Sequence, residues 1–392
     1  MSAWRKLNVH LFVAGLLCVV AMLWVIEAID IGRGVPSIPW LADAMPLKDE
    51  ACPPISILFA ARDEAEKLPD ALETMLALDY PRYEVVAADD RSEDATEQIL
   101  ARLATRDPRL KRVRVDSLPG GWLGKPHALQ RAYERSTGEW LVFTDADVHF
   151  EPDVLRRAVA LVENKGWDHL TLLGRVKMST PGEKIALTFF GFAFLVGTRP
   201  WMVSNAKSAG YLGVGAFQMV RRSAYATMGA HRRLAMEVVD DMKLGKLMKQ
   251  AGFRSGAALA GNAVSVEWHS GVRNMILGTT KNFFAASGFR LWLTCVHILG
   301  LLGMCVFPFA ALPFVRGWPL VFASIAAGLA VTVQAAVSLE TGVSPLYALT
   351  HPIGALIFAW MLARSTMVTL WSGGITWRGT FYPLEELKRG MV

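Results

Sequence analysis

The sequence predicts an α/β domain, built on a mainly parallel sheet with helices on both faces, joined to transmembrane α-helices. Between about residues 52 and 281, short β-prone apolar runs alternate with segments of helical apolar spacing. This alternation is typical of parallel strands connected by right-handed crossovers. Long uncharged apolar segments flank that region, and only 19% of the 392 residues are charged. Such segments predict an integral membrane protein.

Strands and helices alternate along the soluble region. The predicted strands cover residues 55–61, 83–90, 110–115, 139–147 and 170–176. The predicted helices cover residues 68–78, 94–104 and 125–136. In the second helix, Asp94 is the candidate N-cap, and Glu97, three residues further on, completes a capping box.

Two of these strands end in pairs of acidic residues. Asp89 and Asp90 close the second strand, and Asp145 and Asp147 follow the apolar run of the fourth. The carboxyl ends of parallel strands share one edge of the sheet, where open α/β folds bind ligands. An Asp-x-Asp sequence by itself is also typical of a turn. The convergence of two acidic pairs on one edge favours a ligand site.

Four uncharged apolar segments reach the ~20 residues that a membrane-spanning helix needs. They are residues 7–26, 291–315, 317–339 and 341–363. The first is interpreted as a retained anchor rather than a cleaved signal peptide, because its apolar stretch is long and no small-x-small cleavage site follows it. We therefore expect a membrane anchor and linker over 1–51, a catalytic domain over 52–281, and a membrane region with a basic tail over 282–392.

The net charge of +6 does not indicate a nucleic-acid partner, because the basic residues are scattered and lack interleaved aromatic residues. Attraction to an anionic membrane surface or to substrate phosphates accounts for the same charge. The four cysteines form no Cys-x-x-Cys pattern and no cluster with histidine. A disulfide framework and a zinc site are therefore not expected.

Three stretches of the soluble region are similar to those of a known enzyme family. They are residues 55–96, the Gly-Lys and Asp-x-Asp stretch 122–155, and the acidic helix 238–253. In this order they resemble the family 2 glycosyltransferases, in particular the membrane-anchored enzymes that act on lipids, carotenoids and hopanoids. The resemblance covers about residues 55 to 260 and implies the GT-A nucleotide-diphospho-sugar transferase fold.

The resemblance implies a nucleotide-diphospho-sugar donor, usually a UDP-sugar, and a divalent cation. The residues it assigns to the donor are Ala60, Arg62, Glu64, Asp90, Lys125, Asp145 and Asp147. Asp90 would accept a hydrogen bond from the imide N–H of uracil. Asp147 and Asp145 would hold Mg²⁺ or Mn²⁺, which neutralises the charge developing on the leaving diphosphate.

The resemblance also implies a catalytic base and an acceptor side. Asp241 aligns with the aspartate that takes a proton from the acceptor hydroxyl in inverting members. Gly213, Gly215 and Asp240 fall on the acceptor side, where glycine lets a substrate approach the backbone. Asp240 stands where the family usually has Glu. Acids are also common in the first turn of any helix, so a purely structural role for this pair stays open.

The Q/R-x-x-R-W motif of polymerising family members is absent after Asp241. Its absence puts a processive synthase in doubt and leaves open which cation closes over the leaving diphosphate. Arg273 and Lys281 are basic residues in roughly the right region.

Residues 183–203 form a Phe-rich stretch interrupted by Gly and Arg. A buried core helix is one interpretation. We favour an interfacial helix whose apolar face enters the bilayer and brings the site to a lipid acceptor.

These observations predict an inverting glycosyltransferase that moves a sugar to the hydroxyl of a lipid-like or membrane-borne acceptor. A glycan chain synthase of the same family is one alternative. A phosphotransferase with Asp145 as nucleophile is another, and a transporter or scaffold with a decayed domain is a non-enzymatic one. The absence of a DxDGT-type continuation after Asp145 disfavours the phosphotransferase, and the intact acids disfavour decay.

Two features of the sequence predict opposite orientations in the membrane. Sugar nucleotides are cytosolic, so the catalytic domain is expected on the cytoplasmic side of the cell (inner) membrane. Arg5 and Lys6 nevertheless favour a cytoplasmic N-terminus by the positive-inside rule, and three C-terminal spans would place the basic tail outside. One segment is therefore expected to be interfacial or re-entrant, and 341–363 is the candidate.

Overall fold

The structure is a computed structural model that describes residues 3–268 and 270–392, with side chains from residue 10 onward. Its strands are β1 (Ile55–Ala61), β2 (Tyr83–Asp90), β3 (Leu110–Val115), β4 (Trp140–Phe143), β5 (Val148–Phe150), β6 (His169–Val176), β7 (Gln218–Arg221), β8 (Ser255–Val266), β9 (Gly374–Trp377) and β10 (Thr380–Pro383).

The α-helices are α1 (Ala3–Gly34), α2 (Leu68–Leu76), α3 (Thr96–Arg106), α4 (Gly124–Arg135), α5 (Val154–Lys165), α6 (Pro181–Thr198), α7 (Arg222–Thr227), α8 (Asp240–Gln250), α9 (Val272–Gly278), α10 (Asn282–Ala286), α11 (Leu291–Cys305), α12 (Phe307–Ala311), α13 (Trp318–Glu340), α14 (His351–Ser372) and α15 (Leu384–Arg389).

The chain divides into two compact units. We call the first the sheet unit, and it comprises Ile38–Lys177, Pro200–Trp268 and Ser372–Val392. We call the second the helical unit, and it comprises Met1–Ser37, Met178–Arg199 and His269–Trp371. The helix α6 thus groups with the apolar helices, whereas the C-terminal residues group with the sheet. The domain boundaries expected at 51/52 and 281/282 stay predictions.

The sheet unit is built on eight strands in the order β3-β2-β1-β4-β7-β6-β8-β5. Strands β3, β2, β1 and β4 are mutually parallel, as are β6 and β8. The pairs β4–β7, β6–β7 and β5–β8 are antiparallel. The predicted α/β class with a mainly parallel sheet is confirmed.

Each face of the sheet has its own apolar core, because side chains alternate along a strand. On β1, Ile57 and Phe59 belong to the larger core, which also contains residues of α2 and α5. The intervening Leu58 belongs to the second core, which contains residues of α4 and α8. Helices therefore cover both faces, as the sequence predicts.

Four helices of the described residues are long and apolar enough to cross a membrane, as judged by length and composition. They are His10–Ser37, Pro181–Met202, Trp318–Glu340 and Pro345–Ser372. The segment 341–363 contains the start of α14, which is one long helix, and its interfacial or re-entrant placement stays a prediction. The prediction of a single helix over 291–315 is wrong. Pro308 cannot donate to the ladder and clashes with the preceding turn, so α11 ends at Cys305.

The segment before this break is bent as well. Val272–Ala286 and Leu291–Cys305 meet at 116°, the geometry of a broken span or a re-entrant loop. Within the helical unit, α6 begins with a capping box formed by Thr180 and Glu183. Its Phe189 and Phe192 are buried, whereas Phe190 and Phe194 are only partly buried and stack at 6.1 Å.

Candidate active site

The carboxyl ends of β2, β1 and β4 meet at one edge of the sheet, because β1 pairs in parallel with both neighbours. Asp90 ends β2, Arg62 follows β1, and Asp145 follows β4 by two residues. Neighbouring strands lie about 4.8 Å apart, so these three positions fall within about 10 Å across the edge. The predicted convergence of acidic residues is confirmed.

Asp90 lies deep in this edge and is 4% exposed. Its two carboxylate oxygens accept hydrogen bonds from Arg91 at 2.8 and 3.1 Å. Arg62 Nη1 is 4.0 Å from Asp90 Oδ2. A side chain at Gly124 would begin 2.3 Å from the same oxygen, so any residue with a Cβ there would displace the Asp90 carboxylate. Its neighbour Asp89 braces the following loop by accepting from the Ser92 amide at 3.2 Å.

The loop after β1 brings a second carboxylate to the edge. Glu64 is ion-paired with Arg378 of the C-terminal hairpin. Burial raises the pKa of Glu64, with Arg378 opposing the shift and the Asp147 carboxylate adding to it. Burial and then Asp145 likewise raise the pKa of Asp147, against the effect of Lys67, whose Nζ is 3.5 Å from Asp147 Oδ2. Ala60 lies on β1 opposite Ala88.

Lys125 links the donor-side acids to the base side. Its Nζ donates to Asp145 Oδ1 at 2.6 Å and lies 4.0 Å from Asp240 Oδ1. Burial disfavours its charge, yet Asp145, Asp240 and Asp241 outweigh burial and raise the pKa of Lys125 above its ordinary value. Lys125 therefore remains an ammonium in the middle of three carboxylates.

Asp240 and Asp241 lie in the first turn of α8. Burial, reinforced by Asp240 and opposed by Lys125, raises the pKa of Asp241 to about 6. Asp240 is 4% exposed and lies 3.8 Å from His231 Nε2. Together with Lys125 and Gly215, the two aspartates line a small cleft.

The acceptor-side glycines lie against these acids. A Cβ at Gly213 would be 1.9 Å from the Asp241 carbonyl oxygen, and one at Gly215 would be 2.4 Å from Asp145 Oδ2. A Cβ at Gly245 of α8 would likewise be 1.9 Å from the Leu212 carbonyl oxygen. The loop 212–215 therefore packs directly on α8 because neither Gly213 nor Gly245 carries a side chain, and Gly215 lets the same loop pass close to Asp145.

The sequence predicts a divalent cation held by Asp145 and Asp147, and the groups around them show whether they can bind one. Among residues 3–268 and 270–392, no three His, Cys, Asp or Glu side chains cluster as a complete metal site. Asp145 and Asp147 still offer hard oxygen ligands, and Mg²⁺ commonly binds through one or two carboxylates plus substrate phosphates. This donor set fits a divalent cation that is completed by a diphosphate.

The structure adds residues that the sequence did not single out. Arg91 binds Asp90, His231 lies beside Asp240, and Arg378 binds Glu64. Only Arg91 had a local signal, because it directly follows the acidic strand end. Arg273 and Lys281, the basic candidates for the diphosphate, belong to the helical unit.

Comparisons with known proteins agree with the fold. Residues 56–227 match the model of a family described as Glycosyl transferase family 2. The 4,4'-diaponeurosporenoate glycosyltransferase of Staphylococcus haemolyticus is 24% identical over 264 residues, 66% of this chain and 68% of the relative. The beta-monoglucosyldiacylglycerol synthase of Trichormus variabilis is 35% identical over 115 residues, which span 29% of this chain and 24% of that relative.

A solved structure has a similar fold over nearly its whole length. It is the mannosyltransferase PcManGT from Pyrobaculum calidifontis, determined in complex with GDP-Man and Mn²⁺. The TM-score is 0.52 at 20% identity, and the match covers 91% of this chain and 99% of that one. At this identity the likeness establishes the fold.

Proposed function

Because residues 56–227 are a family 2 glycosyl transferase domain with the GT-A fold, we propose that this glycosyltransferase is inverting and metal-dependent. In this proposal it moves a sugar from a UDP-sugar to the hydroxyl of a lipid-like acceptor in the cell membrane. The transferase class rests on the family domain and on the named relatives. The donor, the acceptor, the stereochemistry and the metal are the parts that we propose.

The observation that supports the reaction best is the grouping of Asp145, Asp240 and Asp241 around Lys125. The Lys125 ammonium is 2.6 Å from Asp145 and 4.0 Å from Asp240. In the proposed complex the diphosphate lies at Asp145 and the anomeric carbon faces Asp241. The base, the anomeric carbon and the leaving diphosphate would then lie in one line, which an in-line displacement requires.

In this reaction Asp241 accepts the proton of the acceptor hydroxyl. The acceptor oxygen forms a bond to the anomeric carbon while the bond from that carbon to the diphosphate oxygen breaks. The electron pair of the broken bond leaves with the nucleoside diphosphate, and the configuration inverts. A pKa of about 6 leaves Asp241 ionised at neutral pH but makes it a stronger base than an ordinary aspartate.

Asp145 and Asp147 would hold Mg²⁺ or Mn²⁺, and the cation would neutralise charge on the diphosphate leaving group. Lys125 adds a fixed positive charge next to Asp145. Asp240 helps to keep the charge of Lys125 in place and raises the pKa of its neighbour Asp241.

Asp90 is the proposed contact for the nucleobase. Its carboxylate is buried and acceptor-only, so it suits a base with an N–H on its pairing edge. Uracil offers one such N–H, and guanine offers an N–H and an amino group. Asp90 alone does not separate the two bases, so both classes of donor belong in the test.

A lipid acceptor is supported by the relatives and by the membrane helices. The relatives' names refer to diaponeurosporenoate and to monoglucosyldiacylglycerol, both amphiphilic molecules. The helix α6 is long enough to span a bilayer, but β6 before it and β7 after it are paired neighbours in one sheet. A single crossing would separate these strands onto opposite sides of the membrane. We therefore propose that α6 is interfacial.

The test is a donor and acceptor screen with the full chain purified in detergent. Release of nucleoside diphosphate is measured with UDP- and GDP-sugars, with and without membrane lipid extract, and the product anomer is determined by NMR. We expect lipid-dependent release from a UDP-sugar and inverted configuration. Retention of configuration, or transfer only to soluble glycans, would contradict the proposal.

A further inference from the structure

The C-terminal hairpin ends in a two-residue turn, Arg378–Gly379, between β9 and β10. Both turn residues have positive φ, 48° and 76°. Two-residue hairpin turns of this kind match the right-handed twist of the strands, and glycine is preferred in them. The hairpin base is closed by the Leu384 amide, which donates to the Gly373 carbonyl at 2.9 Å. The side chain at the tip of this tight hairpin is Arg378.

The hairpin contacts three parts of the proposed donor site. Arg378 Nη2 is bonded to Glu64 Oε1, although the two residues are 314 positions apart. A Cβ at Gly379 would lie 3.9 Å from Arg62 Nη2. Below the tip, Tyr382 is 6% exposed, and its hydroxyl accepts from the Gly124 amide at 3.3 Å. The base of the hairpin is thus fixed, and its tip reaches the loop after β1.

Three carboxylates along this edge each have a cationic partner. They are Glu64 with Arg378, Asp145 with Lys125, and Asp147 with Lys67. Arg378 is the most exposed of these cations, with 44% of its side chain accessible. Glu64 is only 22% exposed, so the guanidinium is the open member of the pair and can be reached by an incoming phosphate. A guanidinium carries five N–H donors and keeps others available when one of its nitrogens contacts Glu64.

We infer that Arg378 binds the diphosphate of the nucleotide sugar, exchanging Glu64 for phosphate oxygens when the donor enters. This inference rests on the proposed function. The planar fork of arginine matches two phosphate oxygens at once, which the single ammonium of lysine cannot do. The hairpin would thereby supply a positive charge at the diphosphate in addition to that of Lys125.

The position along the donor favours the diphosphate over the nucleobase or the sugar. The base end is marked by Asp90, whose oxygens are bonded to Arg91. Arg378 instead meets Glu64, and the loop that carries Glu64 continues to Lys67, whose Nζ is 3.5 Å from Asp147 Oδ2. Asp147 is the proposed metal ligand at the diphosphate, so the tip of the hairpin is at the phosphate end.

The test compares nucleosides with nucleoside diphosphates. The full chain in detergent with Mn²⁺ is titrated calorimetrically with UDP and uridine, and with GDP and guanosine. The variants are Arg378→Gln and Arg378→Lys, with Lys388→Gln as control. Lys388 lies on α15 just beyond the hairpin, is 42% exposed, and pairs with Glu385 at 3.2 Å.

Arg378→Gln should weaken binding of the nucleoside diphosphate by about 10- to 100-fold, the scale of hydrogen bonds to a charged group. The affinity of Arg378→Gln for the nucleoside should be unchanged. The diphosphate affinity of Arg378→Lys should lie between those of the wild type and Arg378→Gln, and that of Lys388→Gln should equal the wild-type value. Unchanged diphosphate affinity in Arg378→Gln would overturn the inference. An equal loss for nucleoside and diphosphate would overturn it too, because the hairpin would then only support the fold. If the folded wild type binds neither UDP nor GDP, the donor proposal itself fails, and this inference with it.

Discussion

The proposed metal dependence rests mainly on Asp147. Its carboxylate is buried enough for its pKa to be raised, and Lys67 is 3.5 Å away. Asp147→Asn keeps the size of the side chain but removes the charge that would attract a cation. We expect transfer to fall by at least ~10²-fold, the scale of a lost key electrostatic group. EDTA should abolish wild-type activity and Mg²⁺ or Mn²⁺ should restore it, whereas full activity in chelator would contradict the metal role.

Asp241 is the proposed base, and its variant separates chemistry from binding. Asp241→Asn should keep donor affinity, because the donor contacts lie at Asp90, Lys125 and Asp145. It should lose turnover, since a loss confined to kcat marks a group that acts only in the chemical step. Donor affinity is measured by calorimetry and turnover by product formation. Loss of both together would indicate that Asp241 mainly holds the start of α8.

The individual site residues differ in how far the sequence could place them. Asp90 and Asp145 could be placed together because each ends an apolar strand, and parallel strands deliver their ends to one edge. Arg378 could not, because its contact with Glu64 depends on the packing of a hairpin 314 residues away and leaves no local pattern. The ammonium of Lys125 among three carboxylates also follows from packing rather than from spacing.

Among the elements, the loop 212–215 is defined by its lack of side chains. Gly213→Ala would place a methyl group 1.9 Å from the Asp241 carbonyl, so the loop or the first turn of α8 must shift. A displacement of about 1 Å at reacting groups can cost on the order of 10²-fold in rate. We expect a loss of that scale in turnover, with donor affinity retained. Gly120→Ala is the matched control, because a Cβ there meets nothing within 4 Å. Equal turnover of both variants would show that the loop adjusts freely.

The helix α6 carries the proposed membrane contact. Phe190 and Phe194 form its partly exposed face, whereas Phe189 and Phe192 are buried. Burying one Phe side chain in an apolar medium contributes about 1.5–3 kcal/mol. Replacing Phe190 and Phe194 with Ser should therefore weaken activity on membrane-embedded acceptor while nucleotide-sugar affinity stays near normal.

The matched control for the α6 variant is Phe189→Ser with Phe192→Ser, which should destabilise the protein and lower its thermal midpoint. If the Phe190 and Phe194 variant is equally destabilised, α6 is a core helix on both faces. If it retains full turnover on lipid acceptor, the membrane-entry role is wrong.

The elements also show where local patterns were misleading. The first three strands have the predicted bounds, because alternating apolar residues specify short strands well. The capping box predicted at Asp94 does not form. Its Oδ1 accepts from the Thr96 amide at 2.9 Å, and its Oδ2 bonds instead to the Ala65 amide of a distant loop at 3.0 Å. A tertiary contact therefore replaced the contact with Glu97.

At the scale of the whole molecule, the division of the chain constrains its path through the membrane. The sheet unit contains residues from before 177, from 200–268 and from after 372. A folded domain lies on one side of a bilayer, so the chain between 269 and 371 must cross an even number of times.

We expect the two crossings to be the apolar segment 291–315 and α13, because both pack on α1: Trp24 Nε1 donates to the Met304 carbonyl at 2.9 Å, and Leu17 contacts Ala311 and Ala323. The C-terminal part of α13 meets α6, where Gln334 Nε2 donates to Thr188 Oγ1 at 3.4 Å. The helix α14 begins against the same part of α6, with the His351 ring 5.1 Å from that of Phe189, so we expect α14 to lie at the membrane surface with α6.

This path predicts the sidedness of three exposed positions. Single cysteines are placed at Asp116, Arg316 and Glu385 in a chain whose four native cysteines are replaced by alanine. Asp116 and Glu385 belong to the sheet unit, and Arg316 lies in the turn between α12 and α13. In intact cells a membrane-impermeant maleimide should label only Arg316→Cys, and permeabilisation should expose the other two. Labelling of Glu385→Cys together with Arg316→Cys would place the C-terminal hairpin across the membrane from Glu64. The even-crossing path and the role of Arg378 at the donor site would then both be wrong.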